Sequence, residues 1–465
     1  KIPLPHPMEF PMVAQIYAAS LRQIAESLFR AGIEAADPGK AVTRVLQIRD
    51  GQLHILGDDG DPANSRSAPW RRIFVVAFGK AALAMAEATR DALPTNLFHG
   101  PGVAVTNYAN ARNADGFTVI AAGHPLPDTN GVKGAQVIVE TIGSAGENDL
   151  VLVLISGGGS ALIPYPAPGL VLEDKIATTN LLLRNGANIG AMNTVRKHLS
   201  GIKGGGLTRF TVPADLHALI LSDVLGDDLS TIASGPTVPD ATTFADAKRI
   251  LETIDAWDKA PEAVRSYIEK GVTGEVQETP KPSDPLFATT ASTLVGSNGV
   301  SLAALSEAAY SAGCEVQLWD SHLTGEAREE AKKWATAALT VHRETPDIPL
   351  AMVAGGETTV TLKGAGQGGR NQEMALAFAL AAEKTGLSGD WVFLSGGTDG
   401  HDGPTDAAGG VMDRESCVRM REAGVDPQAF LVDNNSHAAL EASGDLLVTG
   451  ATGTNVADLQ VFLLS

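Results

Sequence analysis

Short apolar runs without polar alternation recur along the chain, and several end in glycine. Val151–Ile155 is the clearest, five apolar residues followed at once by Ser156, three glycines and Ser160. A run of this kind reads as a strand buried on both faces of a parallel sheet. Ile73–Phe78, Gly102–Asn107, Phe117–Ala122 and His217–Ser222 read the same way. Helical spacing falls at Met12–Ala31, where Ile16, Ala19, Ile24 and Leu28 share a face, and again after Gly79-Lys80. Val132–Ile142, Leu170–Leu183 and Gly190–Leu199 are further expected helices, and Val42–Gly57 a short strand and turn. Such alternation argues for right-handed βαβ units.

Gly271–Pro285 is rich in Gly, Pro and Thr and has no periodicity. It is the expected boundary or hinge, dividing 1–285 from 286–465. Beyond it strands are expected at Ala291–Gly296, Glu315–Trp319, Leu350–Ala354, Trp391–Leu394 and Leu446–Thr449. Helices are expected at Ser301–Ala312, Glu326–Val341 and Asn371–Glu383.

Composition narrows the function. A chain of 465 residues is long for one core, which favours two domains. The net charge of −19 opposes nucleic acid and acidic membrane surfaces, so a phosphate-bearing substrate needs locally placed cations. Two cysteines, Cys314 and Cys417, offer neither a disulfide framework nor zinc spacing. No apolar run is long enough to span a membrane, and the first ten residues lack a secretory layout. A cytoplasmic protein without nucleic-acid or membrane partners is expected.

The chemistry gathers at strand ends, where open α/β sheets bind ligands. Ser156, Gly157, Gly158, Gly159 and Ser160 read as a phosphate cradle of backbone N–H groups. Lys80 ends a very apolar strand, where a lysine is out of place unless it meets an anion. Arg370 follows Gly368-Gly369 at an expected helix start, itself favourable to anions. Arg196, Lys197, His198 and Lys203 add cations; Asp223, Asp227, Asp228, Glu357, Asp399 and Asp402 add carboxylates. His124 is open between a capping and a site role, and His401 and His437 read as surface or supporting residues. Phosphoryl transfer uses this inventory, since it proceeds by positioning and charge stabilisation. Neither a GxxxxGK[ST] loop nor a kinase HRD/DFG pair occurs, and Gly158–Leu162 fails the GxSxG elbow at Leu162. Thr449–Thr454, TGATGT, lies too near Ser465 for a dinucleotide-binding βαβ unit.

SGGGSAL (Ser156–Leu162), RKHLSGIKGGGL (Arg196–Leu207), SDVLGDD (Ser222–Asp228), IASGPT (Ile232–Thr237), GGRNQE (Gly368–Glu373) and GGTDGHDGPTDAAGG (Gly396–Gly410) resemble, in this order, the glycerate 2-kinases. The resemblance covers nearly the whole chain. It implies an α/β fold of two α/β domains, a larger Rossmann-like parallel-sheet domain and a smaller C-terminal MOFRL-type domain, with the site in the cleft between them. It also implies transfer of the ATP γ-phosphoryl group to the 2-hydroxyl of D-glycerate, with Mg²⁺. The family's catalytic lysine and arginine fall on Lys80 and Arg370. Asp223, Glu357 and Asp399 then become metal or base candidates. Lys203, Gly204, Gly205 and Gly206 become further N–H donors, and Arg196 a ligand for the glycerate carboxylate. Hydroxypyruvate reductase, a label some members carry, and a non-catalytic sugar-acid binder are the rival readings. The sequence leaves open whether the chain forms a homo-oligomer.

Overall fold

The computed structural model describes residues 20–57, 65–344 and 349–465. The chain forms two compact units, Pro38–Gly296, and Ser297–Ser465 together with residues 20–37. This departs from a division at 285/286 at both places where it could. Helix α1 (Leu21–Ala35) begins at a capping box, in which the Ser20 hydroxyl accepts from the Gln23 amide and the Gln23 side chain from the Ser20 amide. Its Ala25, Leu28 and Phe29 are buried with Leu302, Leu305 and Leu459. The first helix therefore belongs with the C-terminal half of the sequence. The expected helical residues 12–19 lie outside the described residues.

The 38–296 unit is built on six parallel strands: β1 (Arg72–Phe78), β2 (Phe98–Asn107), β3 (Phe117–Ala122), β4 (Asp149–Ile155), β5 (Asp215–Leu221) and β6 (Thr290–Gly296). Their order is β3-β2-β1-β4-β5-β6. Every residue of β4 is buried, as its unbroken apolar run requires. Strand order reverses between β1 and β4, the switch point where doubly wound sheets bind ligands. Register pairs Phe78 with Ile155, so the segments after both strands lie side by side. Helices α2 (Ala82–Ala92), α3 (Gly159–Leu162), α4 (Leu172–Arg184) and α5 (Ile189–His198) follow in the connections. Leu46–Arg49, Gln52–Ile55 and Arg66–Ser67 form a separate antiparallel sheet.

Gly271–Pro285 is not a boundary. Thr279 donates to Asp240 at 3.0 Å and Lys281 to the Thr242 carbonyl, tying the segment into the unit whose last strand is β6. Its polar composition reflects these bonds.

The other unit holds β7 (Glu315–Leu323), β8 (Leu350–Gly356), β9 (Trp391–Gly397), β10 (Gly409–Asp413), β11 (Leu446–Leu447) and β12 (Asp458–Leu464), in the order β7-β8-β12-β9-β10-β11. Only β7 and β8 are parallel; the remaining neighbours are antiparallel. β10 and β12 were not expected, although β12 is central and wholly buried. Helices α6 (Asn298–Ser311) and α7 (Arg370–Thr385) belong to this unit, and α7 is buried along most of its length. Phe378 of α7 stacks on Phe393 of β9 at 4.0 Å, and the Phe462 ring of β12 lies 5.5 Å away. Burying one such ring is worth about 1.5–3 kcal/mol, which anchors α7 and its first residue, Arg370.

Candidate active site

At the switch point two turns are knitted together. The Lys80 amide donates to Gly157 O at 2.9 Å and the Ser156 amide to Phe78 O at 3.1 Å. The Ser156 hydroxyl accepts from the Ala81 amide at 3.1 Å. Gly79 has φ +128°, and a Cβ there would lie 2.1 Å from Ser156 Oγ. Ser156, expected as a phosphate ligand, is thus a strut between the turns.

Three side chains converge on the glycines. A Cβ on Gly158, at φ +82°, would sit 2.9 Å from His124 Nε2 and 3.4 Å from Lys80 Cγ. A Cβ on Gly157 would sit 2.2 Å from Asp223 Oδ2, so the carboxylate after β5 leans over the turn. Burial, and then the charge of Lys80, lower the His124 pKa and hold its imidazole neutral at pH 7. Bare glycine backbone flanked by a lysine and a carboxylate is what a metal-neutralised phosphate needs.

The second glycine run is different. The amides of Gly204, Gly205 and Gly206 donate to the carbonyls of Ser234, Gly235 and Lys203 at 3.0, 2.7 and 3.0 Å. The expectation that they cradle phosphate is corrected on this point, because backbone acceptors already hold them. Lys203 is buried and donates to Ser160 Oγ at 2.8 Å, Ser160 O at 3.0 Å and Ala233 O at 3.3 Å. Burial pushes its ammonium well below the usual lysine range. Lys203 and Ser160 therefore support the turn from behind, and Gly159 packs on Phe78. Arg196, in the last turn of α5, has no hydrogen-bond or ion-pair partner among the described residues. Lys197 pairs with buried Asp240 at 3.4 Å, and His198 with Glu278 at 3.3 Å. Asp228 accepts from Ser230 N and Thr231 Oγ1 and makes a turn, as does Asp227 with φ +52°.

In the other unit Arg370 is the hub. Its Nε and Nη2 donate to the two oxygens of Asp458 at 2.6 and 2.9 Å, and its Nη1 lies 2.9 Å from Glu357 Oε1. Asp458 opens β12 and faces Gly356 and Gly397 across its two neighbouring strands. Burial raises its carboxyl to about 6 against the pull of the guanidinium. For Arg370 burial is the largest single influence and opposes the charge, but the Asp458 hydrogen bond and the charges of Asp458, Glu357 and Asp402 together raise the pKa. Asp458 was missed in the sequence, where its only signal is a lone carboxylate opening the apolar run DLQVFLL.

The α7 N-terminus is not open to an anion as expected. Buried Asp402 accepts there from the amides of Asn371 and Gln372 at 3.1 and 2.8 Å. The amides of Ala365 and Gln367 in the preceding glycine-rich turn donate to Asp433 and Asn435. Asp399 Oδ1 accepts from the His401 amide at 3.0 Å, and His437 lies 3.3 Å from Asp406. Among the described residues no group of three or more His, Cys, Asp or Glu is poised to hold a metal ion. Asp223, Glu357 and Asp399 thus do not form a ready cage, and Glu357 is engaged by Arg370. No helix of the described residues is long and apolar enough to cross a membrane.

Comparison with known proteins agrees with this layout. Residues 24–269 match a family model described as a domain of unknown function, DUF4147, and residues 350–458 match the MOFRL family. A glycerate 2-kinase of Pyrococcus horikoshii is 41% identical over 451 residues, covering 96% of this chain and 98% of that protein. A putative hydroxypyruvate reductase of Agrobacterium vitis is 41% identical over 450 residues, covering 96% and 95%. The crystal structure of a glycerate kinase from Thermotoga maritima superposes with a TM-score of 0.84 at 38% identity, covering 96% and 99%.

Proposed function

The chain belongs to the glycerate 2-kinase family, and from that premise we propose that it transfers the γ-phosphoryl group of ATP to the 2-hydroxyl of D-glycerate, giving 2-phosphoglycerate and ADP. The observation that carries this reading is the convergence of Lys80, His124 and Asp223 on Gly157-Gly158 at the sheet's switch point. Backbone N–H groups of the turn bind phosphate oxygens, and Lys80 supplies positive charge to the transferring group. Arg370, oriented by Asp458 and Glu357, supplies a second positive charge. Arg196 binds the substrate carboxylate, and Asp399 accepts the proton of the attacking hydroxyl.

Mg²⁺ takes one or two carboxylates and completes its shell with phosphate and water. A single carboxylate leaning over a glycine turn fits that demand better than a cage would, and Asp223 is the residue to hold the ion. Held there by Asp223, Mg²⁺ would supply charge neutralisation to the phosphate. His124, kept neutral, leaves Lys80 as the cation facing the turn.

A coupled assay with D-glycerate, ATP and Mg²⁺ that resolves 2- from 3-phosphoglycerate tests the proposal. Formation of the 2-isomer, dependent on Mg²⁺, supports it. NADH oxidation by hydroxypyruvate with no phosphorylated product overturns it in favour of the reductase named among the relatives.

A further inference from the structure

Behind Ser160 lies a small cavity walled by Lys175 of α4, Arg196 of α5 and Lys203, with Pro127, Leu172 and Val195 among its other walls. Its volume is about 30 Å³, roughly twice what one water requires, and so on the scale of one carboxylate group. All three protons of Lys203 already go to Ser160 and Ala233. Lys175 donates one, to Leu199 O at 2.8 Å, and keeps two. Arg196 has none of its donors engaged among the described residues.

Among the described residues none of the three pairs with a carboxylate. Burial lowers the pKa of each, and mutual repulsion adds to this for both lysines, bringing Lys175 to about 7. By contrast the buried Lys197 has an acid beside it, Asp240 at 3.4 Å. Three basic side chains line one small cavity, and the unengaged donors of Lys175 and Arg196 are there for an anion to meet.

We propose that Lys175 is a second substrate ligand, closing with Arg196 on the carboxylate of the hydroxy acid in this cavity. The inference rests on the kinase reading above and deepens it. In a 2-hydroxy acid the carboxylate is bonded to the carbon that bears the reacting hydroxyl. Its pocket must therefore adjoin the phosphate turn, and Ser160 belongs to both. Lys203 holds that shared wall in place and does not itself grip the substrate. Two cations on one carboxylate select acids over the corresponding alcohols.

Steady-state kinetics of Lys175→Met and Lys175→Arg test this. In Lys175→Met the KM for D-glycerate should rise at least about tenfold, with kcat and the KM for ATP within about threefold of wild type, as for lost binding of a charged group. Lys175→Arg should keep the D-glycerate KM within about threefold, which a purely structural role of the lysine chain would not predict. Wild type should prefer D-glycerate to glycerol, and Lys175→Met should lose about tenfold of that preference, by the same lost contact. If Lys175→Met does not fold, Lys175→Gln, which keeps a donor for Leu199 O, carries the same test. An unmoved D-glycerate KM in a folded neutral variant overturns the inference alone. Wild type that never phosphorylates D-glycerate overturns the functional reading itself.

Discussion

After β4 and after β8 the chain reads much alike, an apolar strand running into adjacent glycines, yet the glycines admit different neighbours. At Gly157 the space a Cβ would fill holds the carboxylate of Asp223, 2.2 Å away, and at Gly158 it holds the ring of His124. At Gly356 the same space holds the Leu323 carbonyl at 2.1 Å, which is backbone of the neighbouring strand β7. Across β12 Gly356 pairs with Asp458, and so does Gly397 from the other side. The first turn keeps bare backbone beside a carboxylate, an imidazole and a lysine chain. The second removes side chains so that strands can close around a buried aspartate. Adjacent glycines thus meet polar side chains in the parallel sheet and strand backbone in the mixed one.

Removing the cation of each region should separate them most sharply. Both Lys80→Ala and Arg370→Ala should lower turnover by about 10³-fold or more, because charge on the transferring phosphoryl is left uncompensated. Only Arg370→Ala should also destabilise the protein, by about 3–5 kcal/mol, since it strands the Asp458 carboxylate without its partner. Turnover assays paired with urea melts read both quantities. Arg370→Lys should rescue little, because an ammonium cannot bridge both Asp458 oxygens as the guanidinium does. Equal loss of stability in the two alanine variants would dissolve the distinction.

Adding one methyl group to each turn is the next test. Gly157→Ala pushes on the end of a side chain, so activity should fall about tenfold or more through displacement of Asp223, with a small change in melting. Gly356→Ala pushes on backbone that cannot move away, and should cost about 1–3 kcal/mol of stability. Should Gly157→Ala melt earlier than Gly356→Ala, the assignment of roles would be reversed.

The smallest effect is a pH response within the parallel sheet. Thr293 Oγ1 donates to Leu56 O at 3.0 Å, so His217 Nε2 must be the donor in its 2.9 Å bond to Thr293. That leaves His217 Nδ1 buried without a partner among the described residues. Burial, and then the charge of Arg66, hold the His217 pKa down at about 3. An unfolded histidine titrates near 6.5. Below that pH the unfolded chain binds a proton that the folded chain refuses, so stability should fall on acidification, by about 1.4 kcal/mol per pH unit at most. Urea melts at pH 7, 6 and 5 should show this slope in wild type and a shallower one in His217→Gln.

The parallel sheet was largely legible in the sequence. Strands buried on both faces must be apolar throughout, so β1, β4 and β5 announce themselves without knowledge of their neighbours. Lys80 was legible for the same reason, a charge at the end of an apolar run. The loops were less so. GIKGGGL resembles SGGGSAL, but its amides already have acceptors in Ser234 and Gly235, thirty residues on in the chain. β12 was passed over because it follows a glycine-rich loop and lies at the chain's end. Its central place exists only once β8 and β9 stand on either side of it.

By itself the sequence determined five of the six strands of the larger sheet and which family the motifs resemble, while it assigned the sixth, Thr290–Gly296, to the other domain. Local patterning suffices for these, because burial on two faces and the φ +82° of Gly158 restrict the residues that can occupy a position. Only the tertiary structure decided that residues 20–37 join the C-terminal unit, that Asp402 fills the α7 N-terminus and that Asp458 orients Arg370. It alone also placed Lys175 beside Arg196 around one cavity. Each of these is a contact between distant parts of the chain. A buried charge shows in the sequence only as a charged residue; its partner is chosen by the fold that brings the two within hydrogen-bonding distance.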